Sequence, residues 1–252
     1  MIGISIAGFD PSGGAGIISD MKTFSSLGIH GTGVITALTA QNPLKVFSLQ
    51  PIATDYIEEQ IDSIFDGYGK DISYGKTGML YSEEIVKIVA KKIKEYDLKI
   101  VVDPVMVASA GDDLSKSEIA KSLKKYLLPH SLLVTPNIHE AELLSGIKIA
   151  TENDAIAAAE KIGKICDVVI TGGHLEGINT IAIDGKIDIL KKDLIKTENT
   201  HGSGCTFSAA IVAFMVKNHD MMTSIKKSFD YVEIAIKHGR YGTLNPSYDI
   251  LK

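Results

Sequence analysis

Cysteine is scarce in this sequence, and its two cysteines, Cys166 and Cys205, lie far apart along the chain. Their spacing fits neither a disulfide framework nor a metal site, which is typical of a protein that folds in a reducing compartment. His201 lies close to Cys205, but no further Cys or His falls at a spacing that supports metal binding. We therefore expect a protein of the cytoplasm without a Cys- or His-based metal site.

The sequence also lacks an excess of positive charge and any long apolar run. Lys and Arg total 26 against 31 for Asp and Glu, so the net charge is -5, and no strong field attracts nucleic acid or an anionic membrane. The longest apolar run, near residues 209–216, is well short of the roughly 20 residues that span a membrane. The first residues lack the basic and apolar regions of a signal peptide. These absences predict that neither nucleic acid nor membrane is a partner.

The sequence does contain a regular alternation of β-branched runs and helical-period segments, with no linker, repeat or low-complexity tract between them. This alternation predicts a single α/β domain over residues 1–252, with a mostly parallel sheet covered by helices on both faces. Predicted strands are 2–7, 33–37, 73–77, 100–103, 132–135, 168–171 and a hairpin of 180–183 with 187–190. Predicted helices are 15–27, 55–65, 83–96, 116–127, 138–144, 153–164, 204–217 and 222–238. In such sheets, ligands bind beyond the carboxyl ends of the strands.

The segment THGSGCT, residues 200–206, is the strongest functional signal in the sequence. Two glycines, Gly202 and Gly204, stand at the start of an apolar helix, where backbone N–H groups and the helix dipole favour an anion. We therefore predict a site for a transferring phosphoryl group at Gly202, Ser203, Gly204 and Cys205. The same dipole predicts a lowered pKa for Cys205. The alternative is that Cys205 is a small buried core residue.

A second glycine-rich segment, residues 8–16, follows the first predicted strand and opens the first helix. Its bare backbone allows a close approach to a ligand, and the alternative is a tight strand-to-helix turn. It lacks the third glycine of a dinucleotide fingerprint, which argues against an NAD-dependent dehydrogenase. Asp20, one helical turn further on, faces either a ligand or water.

Acidic residues after two later strands are candidates for binding magnesium. Asp103 lies in VDPV and Glu140 in PNIHE, and Mg²⁺ on a nucleotide needs only one or two carboxylates. The alternatives are a helix-capping role for Asn137 and a solvated position for Glu140. Gly75-Lys76-Thr77 resembles the end of a P-loop, but the required leading glycine is out of register. Met79, shortly after it, lines a pocket or belongs to the core.

Taken together, these segments resemble one family over nearly the whole chain: the hydroxymethylpyrimidine and phosphomethylpyrimidine kinases of thiamin biosynthesis, within the ribokinase-like superfamily. The carriers, in order, are AGFDPSGGAG with SDMKTF, VITALTAQNP, YGKTGML, VVDPVM with SAGD, LLPHSLLVTPNIHEAELL, TGGH and NTHGSGCTFSAA. The resemblance implies a three-layer ribokinase-like fold that uses ATP and Mg²⁺. The implied reaction phosphorylates 4-amino-5-hydroxymethyl-2-methylpyrimidine and then its monophosphate.

The resemblance also implies roles for particular residues. Gln41 falls on the position that reads the pyrimidine, where its amide both donates and accepts a hydrogen bond. Gly8, Asp20, Met79 and Val105 are expected around the same substrate, and Asp103 and Glu140 at the metal. Expected contacts to ATP are Asn137, Thr171, Gly173, His174 and Thr200. Cys205 stands where many ribokinase relatives have a general-base Asp, so we hypothesise that it accepts the substrate's proton.

One departure from the family pattern concerns the nucleotide. Relatives usually have Lys before Gly-Gly-His, whereas this chain has Thr171, which carries no charge. Either Lys76 contacts the phosphates instead, or the metal and the backbone do so, and we favour the latter.

Rival functions remain open at this stage. A pyridoxal or pyridoxine kinase, or an enzyme that acts on both vitamins, shares the chemistry of a hydroxymethyl group on a nitrogen heterocycle. A binding protein that lost catalysis would explain Thr171, although Asp103 and Cys205 argue against it. The resemblance further implies a homodimer or a higher homo-oligomer. We expect water to be excluded by the loop 108–112 and by the hairpin 180–190 acting as a flap.

Overall fold

The structure, a computed structural model, describes residues 1–106, 113–173 and 175–247. Its strands are β1 Ile2–Phe9, β2 His30–Asn42, β3 Lys45–Pro51, β4 Ile72–Thr77, β5 Lys99–Val102, β6 Leu133–Val134, β7 Asp167–Ile170, β8 Ile178–Ile183 and β9 Lys186–Lys191. Within the described residues these nine strands form one sheet in the order β3-β2-β1-β4-β5-β6-β7-β8-β9. The strands from β2 to β7 in this order run parallel, and β3, β8 and β9 each run antiparallel to a neighbour.

Helices cover both faces of this sheet, as the sequence predicts. They are α1 Gly16–Ser26, α2 Thr54–Tyr68, α3 Glu83–Glu95, α4 Asp113–Ser122, α5 Ile138–Ser145, α6 Glu152–Ile162, α7 Ser203–Val216 and α8 Met221–Lys237. Successive residues of β5 point to opposite faces of the sheet and belong to two separate hydrophobic cores. Ile100 and Val102 share one core with residues of α2, α3, α5 and α6, and Val101 shares the other with residues of α7 and α8. The three-layer α/β fold class is therefore confirmed. Among the described residues, no helix combines the length and apolar character that crossing a membrane requires.

The sequence does not predict β3 or the full length of β2. β2 runs on to Asn42, whose side chain accepts hydrogen bonds from the N–H groups of Leu44 and Lys45 and so closes a hairpin with β3. Most side chains of β3 are exposed, because it is an edge strand with little of the sheet's core to cover. This is why its composition carries only a weak strand signal. Gln41, which lies beyond the predicted strand 33–37, is part of β2.

The hairpin near residues 180–190 is present, with Asp184 and Gly185 both at positive φ in its turn. Its first strand, β8, pairs along β7 and so continues the central sheet. The interpretation of this hairpin as a flap is therefore wrong. The other segment expected to exclude water, 108–112, lies outside the described residues.

The carboxyl ends of the parallel strands meet around β1. β1 lies between β2 and β4 in the sheet, so the chain order reverses on either side of it. Such a reversal opens a crevice at the carboxyl ends of the strands, because the connecting helices leave toward opposite faces. The described residues that directly follow β1, β4, β5, β6 and β7 therefore surround one region.

A buried ammonium group lies beneath this region. Lys76, on β4, has no exposed surface, and its Nζ lies 3.0 Å from Asp20 Oδ1 on α1 and 3.5 Å from Asp103 Oδ2 after β5. Burial alone would lower the pKa of Lys76, but Asp20 and the neighbouring negative groups outweigh it and raise the pKa above its ordinary value. Ser5 also donates a hydrogen bond to Asp20. Lys76 therefore bridges two carboxylates that sit on different elements.

This ion pair corrects two interpretations of the sequence. Asp20 is fully buried, so it faces neither water nor a ligand, and the prediction that it contacts the substrate is wrong. Lys76 is equally buried and paired, so it does not reach the phosphates of a nucleotide. Both side chains instead lie in the protein interior, where their ion pair stabilises the elements that carry the site.

We predict that Lys76→Met lowers the free energy of unfolding by about 3–5 kcal/mol, because it leaves the Asp20 carboxylate buried without its partner. Adding Asp20→Asn should restore part of the loss, since the remaining group is then neutral. Urea unfolding measures both effects. Exposed Lys70 provides the matched control: Lys70→Met should change stability by less than about 0.5 kcal/mol. Equal losses for the two methionine variants would contradict the assignment.

Candidate active site

A cavity of about 240 Å³ opens at the carboxyl ends of β1 and β2. The structure places five predicted site residues in its wall: Gly8, Gln41, Met79, Val105 and Cys205. Met79 is buried against Gly8, where a Cβ would come within 2.4 Å of its methyl group. Glycine at position 8 therefore leaves room for Met79 to form one wall. The cavity is of a size that suits a single aromatic ring.

Eight further residues of this wall are not among the site residues predicted from sequence, and they include Asp10, Thr39, Val46 and His201. Asp10 and His201 stand inside the two glycine-rich segments, so their position beside the glycines was the available signal. Thr39 and Val46 belong to β2 and β3, and a longer β2 hairpin is needed before either can be placed.

The two glycine-rich segments are in direct contact. Gly202 has φ +88°, and a Cβ there would lie 1.7 Å from the carbonyl oxygen of Gly14. Gly14 in turn packs against His201, whose ring would lie 2.4 Å from an added Cβ. Only glycines permit this approach, so the first segment shapes the cavity by packing on the turn before α7.

The turn before α7 presents backbone N–H groups to the cavity region. α7 begins at Ser203, and within the described residues its N-cap, Gly202, has no side-chain hydrogen bond to the first turn. The N–H of Ser203 is used by the Thr200 carbonyl, while Gly204 and Cys205 follow in the first turn. N–H groups in the first turn of a helix point along its axis, out of its N-terminal end, and attract anions. The geometry therefore fits the predicted phosphate site.

Asp103 faces the same turn from the end of β5. Its Oδ2 lies near Lys76 and accepts a hydrogen bond from Ser208 on α7, and its Oδ1 lies 3.9 Å from the position of a Cβ on Gly204. Oδ2 is thus engaged by Lys76 and Ser208, and Oδ1 faces the start of α7. Asp103 is buried, so its charge acts with little screening.

Cys205 lies in the cavity wall, but its pKa is not the one predicted. Burial of the thiol raises its pKa, Lys76 opposes this, and the charges of Asp103 and Asp20 raise it further, so that it lies above its ordinary value. The prediction of a lowered pKa is therefore wrong. That prediction considered the helix terminus alone, whereas burial of the thiol is the main cause of the raised pKa, and Asp103 and Asp20, from elsewhere in the chain, add to it.

Asn137 and Glu140 form the N-terminal capping box of α5. The Asn137 side chain accepts a hydrogen bond from the Glu140 N–H at 3.0 Å, and Glu140 Oε2 accepts one from the Asn137 N–H at 2.9 Å. Burial and the negative charge of Asp103 raise the pKa of Glu140 to about 8. The capping alternative for Asn137 is confirmed. The capping box also holds Glu140 close enough to Asp103 for the two negative charges to repel each other.

Three of the residues expected at the nucleotide, Asn137, Thr171 and Gly173, lie at the carboxyl ends of β6 and β7, and Thr200 lies in the turn before α7. Thr171 pairs with Asn137 in an isolated bridge, and its N–H donates to the Pro136 carbonyl at 2.9 Å. Gly173 is exposed shortly after it. The structure brings these three residues together beside α5. His174 lies outside the described residues.

The paired carboxylates Asp103 and Glu140 fit a divalent cation. Two carboxyl groups whose charges oppose each other in a buried place are stabilised by a cation between them, and Mg²⁺ accepts one or two carboxylates with phosphates and water. No cluster of three or more His, Cys, Asp or Glu suited to a metal occurs among the described residues. The donor set therefore fits a metal held partly by a nucleotide.

Comparison with known proteins agrees with this geometry. Residues 10–245 match the family model described as phosphomethylpyrimidine kinase. The hydroxymethylpyrimidine/phosphomethylpyrimidine kinase of Bacillus subtilis is 38% identical over 242 residues, covering 93% of this chain and 89% of that protein. The pyridoxine kinase of the same organism is 39% identical over 244 residues, with the same coverage of 93% and 89%.

A solved structure shares the whole fold. The ADP complex of Bacillus subtilis pyridoxal kinase superposes with a TM-score of 0.91 and 36% identity, covering 100% of this chain and 99% of that one. The predicted ribokinase-like fold and the predicted kinase activity are confirmed by these likenesses. This chain belongs to the phosphomethylpyrimidine kinase family.

Proposed function

We propose that this chain transfers the γ-phosphoryl group of ATP to the hydroxymethyl oxygen of 4-amino-5-hydroxymethyl-2-methylpyrimidine, and then phosphorylates the monophosphate to the pyrophosphate used in thiamin biosynthesis. The observation that carries the proposal is the contact between two parts of one site. A ring-sized cavity bears an amide at Gln41, and Cys205 joins its wall to the first turn of α7. A heterocycle in the cavity would hold its hydroxymethyl group at an anion-binding helix end.

The residues of this chain would contribute mainly by binding and orienting the heterocycle and the phosphoryl group. Gly8, Met79 and Val105 would enclose the ring, and Gln41 would pair with its edge. The N–H groups of Gly202, Gly204 and Cys205 would donate hydrogen bonds to the phosphoryl oxygens as charge develops on them, while Ser203, whose N–H is bonded to the Thr200 carbonyl, would help to shape the turn. Phosphoryl transfer has a loose transition state, so positioning and charge neutralisation supply most of the rate.

Asp103 and Glu140 would hold Mg²⁺, with Asp103 Oδ1 facing the phosphate turn. When bound, the metal would neutralise charge on the phosphates. Asn137, Thr171, Gly173 and Thr200 would contact ATP from the ends of β6 and β7 and from the turn before α7, with His174 proposed from the sequence alone. Backbone and metal take the place of the missing lysine in this proposal.

We further propose a homodimer or higher homo-oligomer in the cytoplasm. Leu44 and Phe47 are 93% and 63% exposed on the β2–β3 hairpin, which supports contact with a second copy of the chain.

A second candidate, a pyridoxal or pyridoxine kinase or an enzyme with both activities, is favoured by one observation. A pyridoxine kinase relative is as similar to this chain as the pyrimidine kinase relative, at 39% and 38% identity. Both substrates place a hydroxymethyl group on a nitrogen heterocycle, so the same helix end would serve either one.

An ADP-release assay with the parent protein tests the proposal. Hydroxymethylpyrimidine, its monophosphate and pyridoxine are supplied separately with ATP and Mg²⁺. Faster turnover of the first two than of pyridoxine supports the proposal. Turnover of pyridoxine alone would establish the second candidate in its place, and no turnover of any of the three would contradict both.

Cys205→Ser should keep kcat within about threefold of the parent value. A thiol with a raised pKa is protonated near neutrality, and the loose transition state needs little help from a base. Steady-state kinetics on hydroxymethylpyrimidine measure the effect. General-base catalysis is typically worth about 100-fold or more, so a fall of that size would restore the hypothesis that Cys205 accepts the proton.

Thr171→Lys should lower the KM for ATP several-fold, because an ammonium group at this position adds a charge-assisted contact to the phosphates. Thr171→Gln, long but neutral, is the matched control and should leave the KM close to the parent value. An unchanged KM in the lysine variant would count against the position of the nucleotide.

Glu140→Gln should change the pH dependence of stability in the metal-free protein. The folded carboxyl group keeps its proton up to a pKa of about 8, whereas the unfolded one ionises near 4.5, so stability falls as pH rises through this window. Glutamine keeps the capping box and has no such proton. The stability difference between variant and parent, measured by urea unfolding in EDTA, should therefore grow from pH 5 to pH 8 in the variant's favour. A constant difference would show that burial does not perturb Glu140.

A further inference from the structure

A chain of four polar side chains crosses the wall of the cavity. His201 Nε2 lies 2.9 Å from Asp10 Oδ2 and 3.4 Å from Gln41 Nε2. On the other side of Gln41, Thr39 Oγ1 lies 3.2 Å from the amide Oε1 and 3.0 Å from the Phe9 carbonyl oxygen. This row of hydrogen bonds ends at the Asp10 carboxylate on one side and at the Phe9 carbonyl oxygen on the other. Both groups only accept hydrogen bonds, so the positions of the protons between them follow.

At one end, Asp10 is a carboxylate and accepts hydrogen bonds only. It is buried and accepts from the Ser12 N–H at 2.8 Å and the Ala15 N–H at 3.0 Å, in addition to the Ser12 hydroxyl at 2.9 Å. Burial would raise the pKa of Asp10, but the hydrogen bonds from His201, Ser12 and Ala15 outweigh it and lower the pKa. His201 Nε2 must therefore carry a hydrogen, whether or not the ring is also protonated at Nδ1.

At the other end, the Phe9 carbonyl oxygen can only accept a hydrogen bond. The Thr39 hydroxyl has a single proton, and the carbonyl at 3.0 Å is its nearer acceptor. When the Thr39 hydroxyl donates its hydrogen bond to the Phe9 carbonyl, Thr39 Oγ1 can only accept a hydrogen bond from Gln41. The Gln41 atom beside Thr39 must then be a donor.

The same reasoning fixes the other half of the amide. An Nε2–H on His201 that faces Gln41 Nε2 would place two N–H groups against each other. A half-turn of the amide exchanges its oxygen and nitrogen, which have nearly the same size, and satisfies both neighbours. The single Nε2–H of His201 is donated mainly to Asp10 at 2.9 Å, and Gln41 Oε1, at 3.4 Å, then accepts its weaker branch in a three-centre hydrogen bond, while Gln41 Nε2 donates to Thr39.

We propose that His201 and Thr39 are positioning residues that lock the Gln41 amide with its oxygen toward His201 and its nitrogen toward Thr39, so that the cavity selects the order of donor and acceptor on a ligand's edge. An amide has two N–H donors and two acceptor lone pairs, so one of each remains for a ligand. This inference rests on the proposed function, in which Gln41 pairs with the pyrimidine.

The locked amide distinguishes two ligands of nearly the same shape. Hydroxymethylpyrimidine offers a ring nitrogen acceptor beside an amine donor. Its 4-oxo analogue offers an N–H donor beside a carbonyl acceptor, which is the reverse order. A freely turning amide would serve both, whereas a locked one leaves buried polar groups unpaired with the second.

Calorimetric titration of the parent protein with each ligand, in the absence of ATP, tests the proposal. The parent should bind the 4-amino ligand about 100-fold more tightly than the 4-oxo ligand, about tenfold for each reversed hydrogen bond. His201→Phe keeps a ring in place and removes the Nε2–H, and it should reduce this preference at least tenfold. Thr39→Val, a second and nearly isosteric variant, should reduce it at least threefold.

Two matched substitutions on β2 separate positioning from general damage. Thr39→Ser keeps the hydroxyl and should keep the preference. Thr32→Val removes a buried hydroxyl that donates to the Gly3 carbonyl, remote from the cavity, and should leave both affinities unchanged.

The outcomes distinguish this inference from the proposed function. A merely structural role predicts that His201→Phe and Thr39→Val weaken both ligands equally, and an unchanged ratio overturns the inference while phosphorylation of hydroxymethylpyrimidine by the parent remains. A parent protein that neither binds nor phosphorylates hydroxymethylpyrimidine overturns the proposed function itself, and this inference with it.

Discussion

The buried ammonium group of Lys76 is the charge on which the site depends. It joins β4 to Asp20 on α1 and to Asp103 at the end of β5, at 3.0 and 3.5 Å. Without it, two carboxylates would lie buried near the start of α7, and their charge would oppose an anion at that helix end. The positive charge of Lys76 offsets one of the two negative charges, so the three groups together carry a single negative charge. Asp103 Oδ1, which is not paired with Lys76, faces Gly204. The same contact that stabilises the fold therefore sets the electrostatics of the phosphate site.

The two glycine-rich segments divide the work of the site between them. The turn before α7 presents backbone N–H groups, while the first segment packs on that turn through Gly14 and Gly202 and brings Asp10 to His201. In the proposed function, the turn before α7 holds the phosphoryl group, and the first segment helps to enclose the heterocycle that receives it. Their contact explains why a ring-sized cavity and an anion site share the residue Cys205. In that proposal, Cys205 connects the part of the site that selects the substrate to the part that binds the phosphoryl group.

The sequence predicts the parallel core of the fold and the glycine-rich start of α7 well, because both depend on local patterns. Alternating runs identify β1, β4, β5 and β7, and the glycines before α7 identify the helix end. The edge strand β3 is missed because its exposed side chains carry little hydrophobic signal. Interactions between distant residues are missed for a different reason: Asp10 and His201 are 191 positions apart, and Asp20 and Lys76 are 56 apart. No local pattern shows that such residues meet, so the burial of Asp20 and the raised pKa of Cys205 follow only from the folded chain.

The central claim is that one site holds the heterocycle in the cavity and the phosphoryl group at the start of α7. A crystal structure with hydroxymethylpyrimidine, Mg²⁺ and a non-hydrolysable ATP analogue tests it most directly. The account predicts the ring between Gln41 and Met79, with its hydroxymethyl oxygen toward Cys205. It also predicts the terminal phosphate at the N–H groups of Gly204 and Cys205 and the metal beside Asp103. A ring bound outside this cavity, or phosphates that do not meet the start of α7, would contradict it.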